Sequence, residues 1–298
     1  MSEHQVSDIV WGDLRDPSAV TRLVEGADLL FHLAAHARAW AANPGDFEAI
    51  NVEGTRNVMA AALAAGVRRV VHVSTELVDG EETAYQRTKR AAEGVVQDYI
   101  ARGGDAVIVR PTRVYGPGPL NPANSVTRII ALYRRGLFRV RLADGGARAN
   151  YVYVEDVVDG LLKAAERGTN GAAYVLGGEN LTLEAFAGLI GEATGKPHAM
   201  FALPRAVADF LGAACELGGR IGIEPLITRP WVTVLTTDRP MTSEAAERDL
   251  AYRPRSARDG IAATLACFAI FAGILYWAFA RHNRERFEEA AQIPFQQD

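Results

Sequence analysis

Between Asp8 and Arg110 the chain alternates short apolar runs with longer segments of helical period, and that alternation admits few folds. The runs DIVW, DLLFHLAA, RVVHVST and AVIVR read as strands, three of them rich in β-branched residues, which pack well on a pleated, buried surface, and DLLFHLAA in leucine with a phenylalanine. Between them lie DPSAVTRLVEG, residues 44–65 and AYQRTKRAAEGVVQDYIARG, each with helical spacing of its apolar positions. Asp16 and Pro17 stand at cap and first-turn positions of the first helix, and Gly103 and Gly104 punctuate the end of the last. Repeated strand–helix units of this kind predict an α/β fold built on a parallel sheet.

After Arg110 the composition changes to RPTRVYGPGPLNP, a segment stiffened by proline and broken by glycine. A smaller second lobe is expected from there, with helices near residues 124–135, 155–167, 183–194 and 204–217 and a strand near 151–154. The division that follows is a partial dinucleotide-type domain over 1–110, a substrate lobe interleaved with it over 111–258, and an apolar helix with a polar tail over 259–298. At 298 residues and 49% hydrophobic composition, the chain can bury cores of that size. A net charge of −4 and a pI near 5.9 argue against a nucleic-acid partner. Cys215 and Cys267 sit far apart in apolar helical stretches, which predicts buried free thiols in a reducing compartment.

Chemistry concentrates in Tyr85-Gln86-Arg87-Thr88-Lys89, where a phenol and an ammonium lie four residues apart and so one turn apart on the same helix face. A free phenol titrates near ~10, and a neighbouring cation favours phenolate, drawing it toward neutral pH. Such a phenol can protonate a carbonyl oxygen or deprotonate an alcohol. Upstream, Ser74 and Thr75 end the run RVVHV at the carboxyl edge of the predicted sheet, where ligands of open parallel sheets bind.

With these features in order, the chain resembles the extended short-chain dehydrogenase/reductase family, over roughly Ser7 to Arg255. Asp13-Leu14 in VWGDLRDP resembles the family's adenine-contacting turn, and Ala34-Ala35 in FHLAA its cofactor-lining loop. Asn51 in NVEGTRN, Thr75, and the Tyr85/Lys89 pair match its catalytic positions, and Pro111-Thr112 in RPTRVYGPG its turn facing the nicotinamide. The resemblance implies a Rossmann-type doubly wound sheet and NAD or NADP as cofactor. It makes Tyr85 the general acid/base and Thr75 the residue that binds the reacting oxygen. Lys89 would hold the nicotinamide ribose and Asn51 support a proton-relay water; no metal is implied. LPRAVADFLGAACELGG and SEAAERDLAYRP look closest to the 3β-hydroxysteroid dehydrogenase branch, and sugar-nucleotide epimerases share much of the pattern.

One hallmark of that family is missing from the sequence. The glycine-rich turn that follows the family's first strand does not occur, so the backbone cradle for a pyrophosphate is not encoded near Met1. The reading is an N-terminally truncated family member, in which DIVW loses its neighbours and DLLFHLAA becomes a sheet edge. His32 and His36 are four apart, but on a strand end rather than a helix, so a structural role is expected rather than a metal site.

Residues 261–280 carry no charge and at about 1.5 Å per residue would just cross a hydrocarbon layer of about 30 Å. Membrane association through this helix, with a cytoplasmic catalytic domain, is the expectation, and a wholly cytoplasmic protein the alternative. Three functions are open at this point. The first is hydroxyl/ketone oxidoreduction on an apolar, sterol-like substrate, and the second is sugar-nucleotide epimerisation or dehydration. A non-catalytic membrane-tethered remnant is the third, and a homodimer is one assembly open to such a chain.

Overall fold

A computed structural model describes residues 9–279, apart from 39, 81–82, 119, 121–123, 143–145, 220–224 and 226. In chain order the first half comprises α1 (Pro17–Val24), β1 (Leu29–His32), α2 (Gly45–Glu48), a π-helical turn (Ala49–Glu53), α3 (Gly54–Ala65), β2 (Arg69–Val73), α4 (Ala84–Ala101) and β3 (Ala106–Pro111). The second half runs β4 (Arg113–Tyr115), α5 (Ser125–Arg134), β5 (Val140–Leu142), β6 (Arg148–Tyr153), α6 (Val154–Arg167), β7 (Ala173–Leu176), β8 (Glu179–Thr182) and α7 (Leu183–Thr194). It closes with β9 (Phe201–Leu203), α8 (Arg205–Gly219), α9 (Arg229–Thr236), α10 (Glu244–Leu250) and α11 (Ala257–Phe279).

Strands β1, β2, β3 and β7 form one parallel sheet in that spatial order, so the chain returns to the first sheet after building much of the second lobe. Alternation along each strand divides the core in two. Val70, Ala106 and Ile108 pack under α1, α3 and α4 with Val20, Val24, Met59, Ala62 and Val96. On the opposite face Val71, Val107 and Val109 meet Val157, Leu161 and Ala164 of α6 and Leu250 of α10. Each fully buried aliphatic side chain contributes about 1.5–3 kcal/mol, so both helix layers are needed to cover the sheet. The fold is the doubly wound α/β architecture expected from the sequence.

The lobe has a third core, rich in aromatic residues. Tyr115, Tyr133, Tyr151, Tyr153 and Phe186 are buried together, Tyr151 stacked on Phe186 at 4.2 Å between ring centroids. Strands β4, β6 and β8 form its sheet. The first turns of α11 close this core through Ile261 and Thr264, both buried. Farther along the same helix Phe271 is 63% exposed, Tyr276 81% and Trp277 54%, so α11 changes from packing element to bare apolar rod within its own length.

Two expectations change. Ile9, Val10 and Trp11 of DIVW are not a strand, and Trp11 stands 87% exposed. A strand needs a ladder partner, and residues 9–11 pair with no strand among the described residues, while β1 hydrogen-bonds only β2 and so forms the edge of the sheet. Cys215 and Cys267 are free thiols, but half-buried rather than buried.

Candidate active site

Helix α4 owes its start to a capping box. Thr83 Oγ1 accepts from Gln86 N at 3.1 Å, while Gln86 Oε1 accepts from Thr83 N at 2.8 Å. That cap fixes the first turn of the helix, which carries Tyr85. On the facing side β2 ends at Val73, Ser74 N donates to Val109 O at 2.7 Å, and Thr75 turns the chain by accepting from Leu77 N at 3.3 Å. The Thr75 hydroxyl lies close enough to the Tyr85 phenol to favour its ionised form. One turn further along α4, Lys89 is 2% exposed and its Nζ donates to Val73 O at 2.7 Å.

Burial dominates the electrostatics here. The Lys89 ammonium is pulled down to about 8 by desolvation, with Glu93 opposing. Tyr85 also departs from the expectation that a neighbouring cation would favour phenolate. Burial pushes its phenol up, the Thr75 hydroxyl draws it back, and the Glu76 carboxyl pushes it up further. The physical reason is that burial, which disfavours the phenolate, is the largest influence on the phenol, so Tyr85 keeps its proton at neutral pH. Behind α4, His32 and His72 lie with ring centroids 5.2 Å apart. Burial and then the Lys89 charge hold His32 down at about 4, and burial, Lys89 and His32 hold His72 well below its usual range.

Asn51 sits in the π-helical turn between α2 and α3, an irregularity that re-aims a side chain within an otherwise regular helix. Its Oδ1 accepts from His36 N at 2.7 Å and its Nδ2 donates to Thr88 Oγ1 at 3.0 Å, tying the loop after β1 to α4. Ala34 and Ala35 lie in that loop, the first exposed and the second half-buried. Pro111 ends β3, and Thr112 Oγ1 donates to Asn150 Oδ1 at 2.8 Å. These residues share the carboxyl edge of the sheet with Thr75.

Asp13 and Leu14 are elsewhere, at the start of α1. Asp13 is held by Arg15 at 2.6 Å, and Leu14 packs beside α3, its carbonyl accepting from Asn57 Nδ2 at 2.8 Å. Glu76, 8% exposed beside Thr75, and Arg113, at the start of β4, belong to the same corner and were not singled out by motif reading. A charged residue directly after the Ser-Thr pair was the available signal for Glu76.

The residues present fit the nicotinamide-ribose half of a dinucleotide. Ser74 Oγ is buried without a hydrogen-bond partner among the described residues. Of the three protons on the Lys89 ammonium, Val73 O engages one. A glycine-rich pyrophosphate turn is not found among the described residues, so no fit can be drawn for that half.

Comparison with known proteins places these features. A family model described as the NAD dependent epimerase/dehydratase family matches residues 1–177. A second, the Cbb3-type cytochrome oxidase component FixQ, matches residues 260–298. The 2-alkyl-3-oxoalkanoate reductase of Stenotrophomonas maltophilia is 30% identical over 279 residues, covering 84% of this chain and 83% of its own length. Sterol demethylase protein B of Methylococcus capsulatus is 30% identical over 278 residues, covering 87% of this chain and 84% of its own. A dTDP-glucose 4,6-dehydratase double mutant of Streptomyces venezuelae, solved with NAD bound, is 25% identical with a TM-score of 0.65, covering 86% of this chain and 77% of its own.

Proposed function

Because the chain belongs to the NAD-dependent epimerase/dehydratase family, we propose that it is an NAD(P)-dependent oxidoreductase interconverting a hydroxyl and a ketone on an apolar, sterol-like substrate. The carrying observation is the convergence of Thr75 and Tyr85 at the carboxyl edge of the sheet, with Lys89 buried one turn along α4 and its Nζ on Val73 O. When bound, the nicotinamide supplies or accepts a hydride. Thr75 and Tyr85 then grip the substrate oxygen between two hydroxyls. In the reductive direction Tyr85, protonated at neutral pH, gives its proton to that oxygen as the carbonyl carbon is reduced. Lys89 carries positive charge below about 8 and binds the ribose hydroxyls. Asn51 holds the loop bearing Ala34 and Ala35 against α4, and Pro111 and Thr112 line the nicotinamide side.

Two further observations support an apolar substrate and a membrane setting. The names of the Stenotrophomonas and Methylococcus relatives both specify apolar carbon skeletons, an alkyl chain and a sterol. Helix α11 is long and apolar enough to cross a membrane, and its exposed second half has no water-compatible surface. We therefore place the catalytic domain on the cytoplasmic side of a bilayer that α11 enters.

A second reading, sugar-nucleotide dehydration or epimerisation, is favoured by the likeness to the Streptomyces dehydratase. Product analysis separates the two. Incubation with NAD and a 3β-hydroxysteroid is expected to accumulate reduced cofactor and a ketone. A rearranged or dehydrated nucleotide sugar with no net reduced cofactor would replace the oxidoreductase reading by the second.

A further inference from the structure

Residues 125–142, which run through α5 and β5, carry five arginines and no aspartate or glutamate, in a chain whose net charge is −4. Arg134, Arg135 and Arg139 bracket the turn that joins the two elements, and all three are exposed. The turn is tight, with Gly136 N donating to Tyr133 O at 2.8 Å and Arg139 Nε to Gly136 O at 2.9 Å. Among the described residues no carboxylate is within ion-pair distance of these three guanidiniums. Arg141, inside β5, differs, its Nε lying 3.4 Å from Glu184 Oε2. An acidic chain thus concentrates positive charge on one edge of its second lobe.

Apolar side chains stand among these charges. Leu137 in the turn is 67% exposed, Val140 at the start of β5 46%, and Phe201 at the start of β9 66%. Val140 and Phe201 are directly opposite each other in the β5–β9 register, so their side chains share one face of this ribbon. Phe201 N donates to Arg139 O at 2.7 Å, which sets Arg139 beside the same pair. The ribbon is braced from behind, where the Tyr133 hydroxyl donates to His198 O at 3.3 Å and accepts from His198 N at 3.0 Å. Phe138 and Met200 pack inward on the aromatic core of the lobe, and Leu265 and Phe268 of α11 pack on that same core before residues 269–277 leave it fully exposed.

Exposed apolar side chains on a rigid turn are poorly hydrated, and clustered cations repel one another. A surface that is anionic outside and apolar beneath offsets both, because apolar tips enter the acyl boundary while guanidiniums stay with the headgroups. A nucleic acid would meet the charge and leave Leu137 and Val140 in water. We propose that this tip docks the second lobe on an anionic lipid surface, with Leu137, Val140 and Phe201 in the interface and Arg134, Arg135 and Arg139 on the headgroups. The proposal rests on the bilayer placement of α11 and adds a peripheral contact to it, laying the substrate lobe against the lipid. It is independent of the chemistry assigned to Tyr85.

The test uses the full chain with Cys215→Ala and Cys267→Ala and one new cysteine carrying a fluorophore, at Leu137→Cys, at Phe201→Cys, or at Arg22→Cys on α1 as control. Vesicles of brominated phosphatidylcholine, with or without phosphatidylglycerol, quench a label that reaches the acyl region. Labels at 137 and 201 should be quenched when phosphatidylglycerol is present, and the label at 22 should not. Each arginine near an anionic surface contributes about fivefold, so replacing all three (Arg134→Gln, Arg135→Gln, Arg139→Gln) should weaken docking on the order of a hundredfold and abolish the quenching, with Tm unchanged. Lysine at the same three positions should preserve it, since headgroups ask for charge rather than a planar fork. Sedimentation with vesicles is scored separately. Wild type that sediments without quenching at 137 and 201 overturns the docking and leaves the placement of α11 intact. Quenching with sedimentation wholly lost in high salt supports the docking and removes that placement. Undiminished quenching in the triple glutamine variant overturns the proposal, and so does a vesicle-free dimer that Leu137→Ser dissolves, which would assign the tip to a second copy of this chain.

Discussion

Lys89→Met should make the cofactor-free protein more stable while removing its chemistry. The ammonium is 2% exposed and drawn down from 10.5 to about 8 by burial. At about 1.36 kcal/mol per pH unit, keeping that buried amine charged at pH 7 costs about 3 kcal/mol. Methionine has nearly the same length and no charge to desolvate. Against this gain, the Val73 carbonyl loses its 2.7 Å hydrogen bond, worth about 1 kcal/mol. The variant should therefore be more stable by about 2 kcal/mol at pH 7. Because the unfolded chain binds the proton more tightly than the folded one, the wild type gains stability as pH rises from about 8 toward 10.5. The variant lacks that gain, so its lead should shrink by about 2 kcal/mol between pH 7 and pH 9.5. Urea denaturation of both proteins at the two pH values is the assay. A variant less stable than wild type at pH 7, or a difference that does not narrow with pH, would refute the claim that Lys89 is held charged at a cost to stability.

Other perturbations probe separate parts of the account. Asn51→Ala removes the bonds to His36 N and Thr88 Oγ1 and should cost about 2–3 kcal/mol in denaturant titration, with a fall in kcat as the loop after β1 loosens. Thr83→Ala breaks the capping box of α4 and should lower stability by about 1 kcal/mol, read as a lower Tm. Ending the chain after residue 269 keeps the buried Ile261 and Thr264 and removes the exposed apolar half of α11. The shortened protein should stay folded and leave the membrane fraction on cell fractionation, and continued sedimentation with membranes would contradict the role given to α11.

Much of the fold was legible because its signals are local and repeated. Short apolar runs gave β1, β2 and β3, and punctuating residues gave the start of α1 and the end of α4, since each depends on neighbours in sequence. DIVW misled because a strand is a property of its partner as much as of its residues, and residues 9–11 have no ladder partner among the described residues. At the site, the spacing of Tyr85 and Lys89 and the position of Thr75 could be read directly. The direction of the Tyr85 shift could not, because it depends on how deeply the fold buries the phenol.

Hydride and proton transfer at the Thr75–Tyr85 pair are the core of the account, and isotope tracing tests them most directly. Wild type given deuterated reduced nicotinamide and an apolar 3-oxo substrate should place deuterium on the new carbinol carbon. Tyr85→Phe should slow that step by about a hundredfold or more with cofactor affinity unchanged. Deuterium found nowhere in the product, or undiminished transfer in Tyr85→Phe, would contradict it.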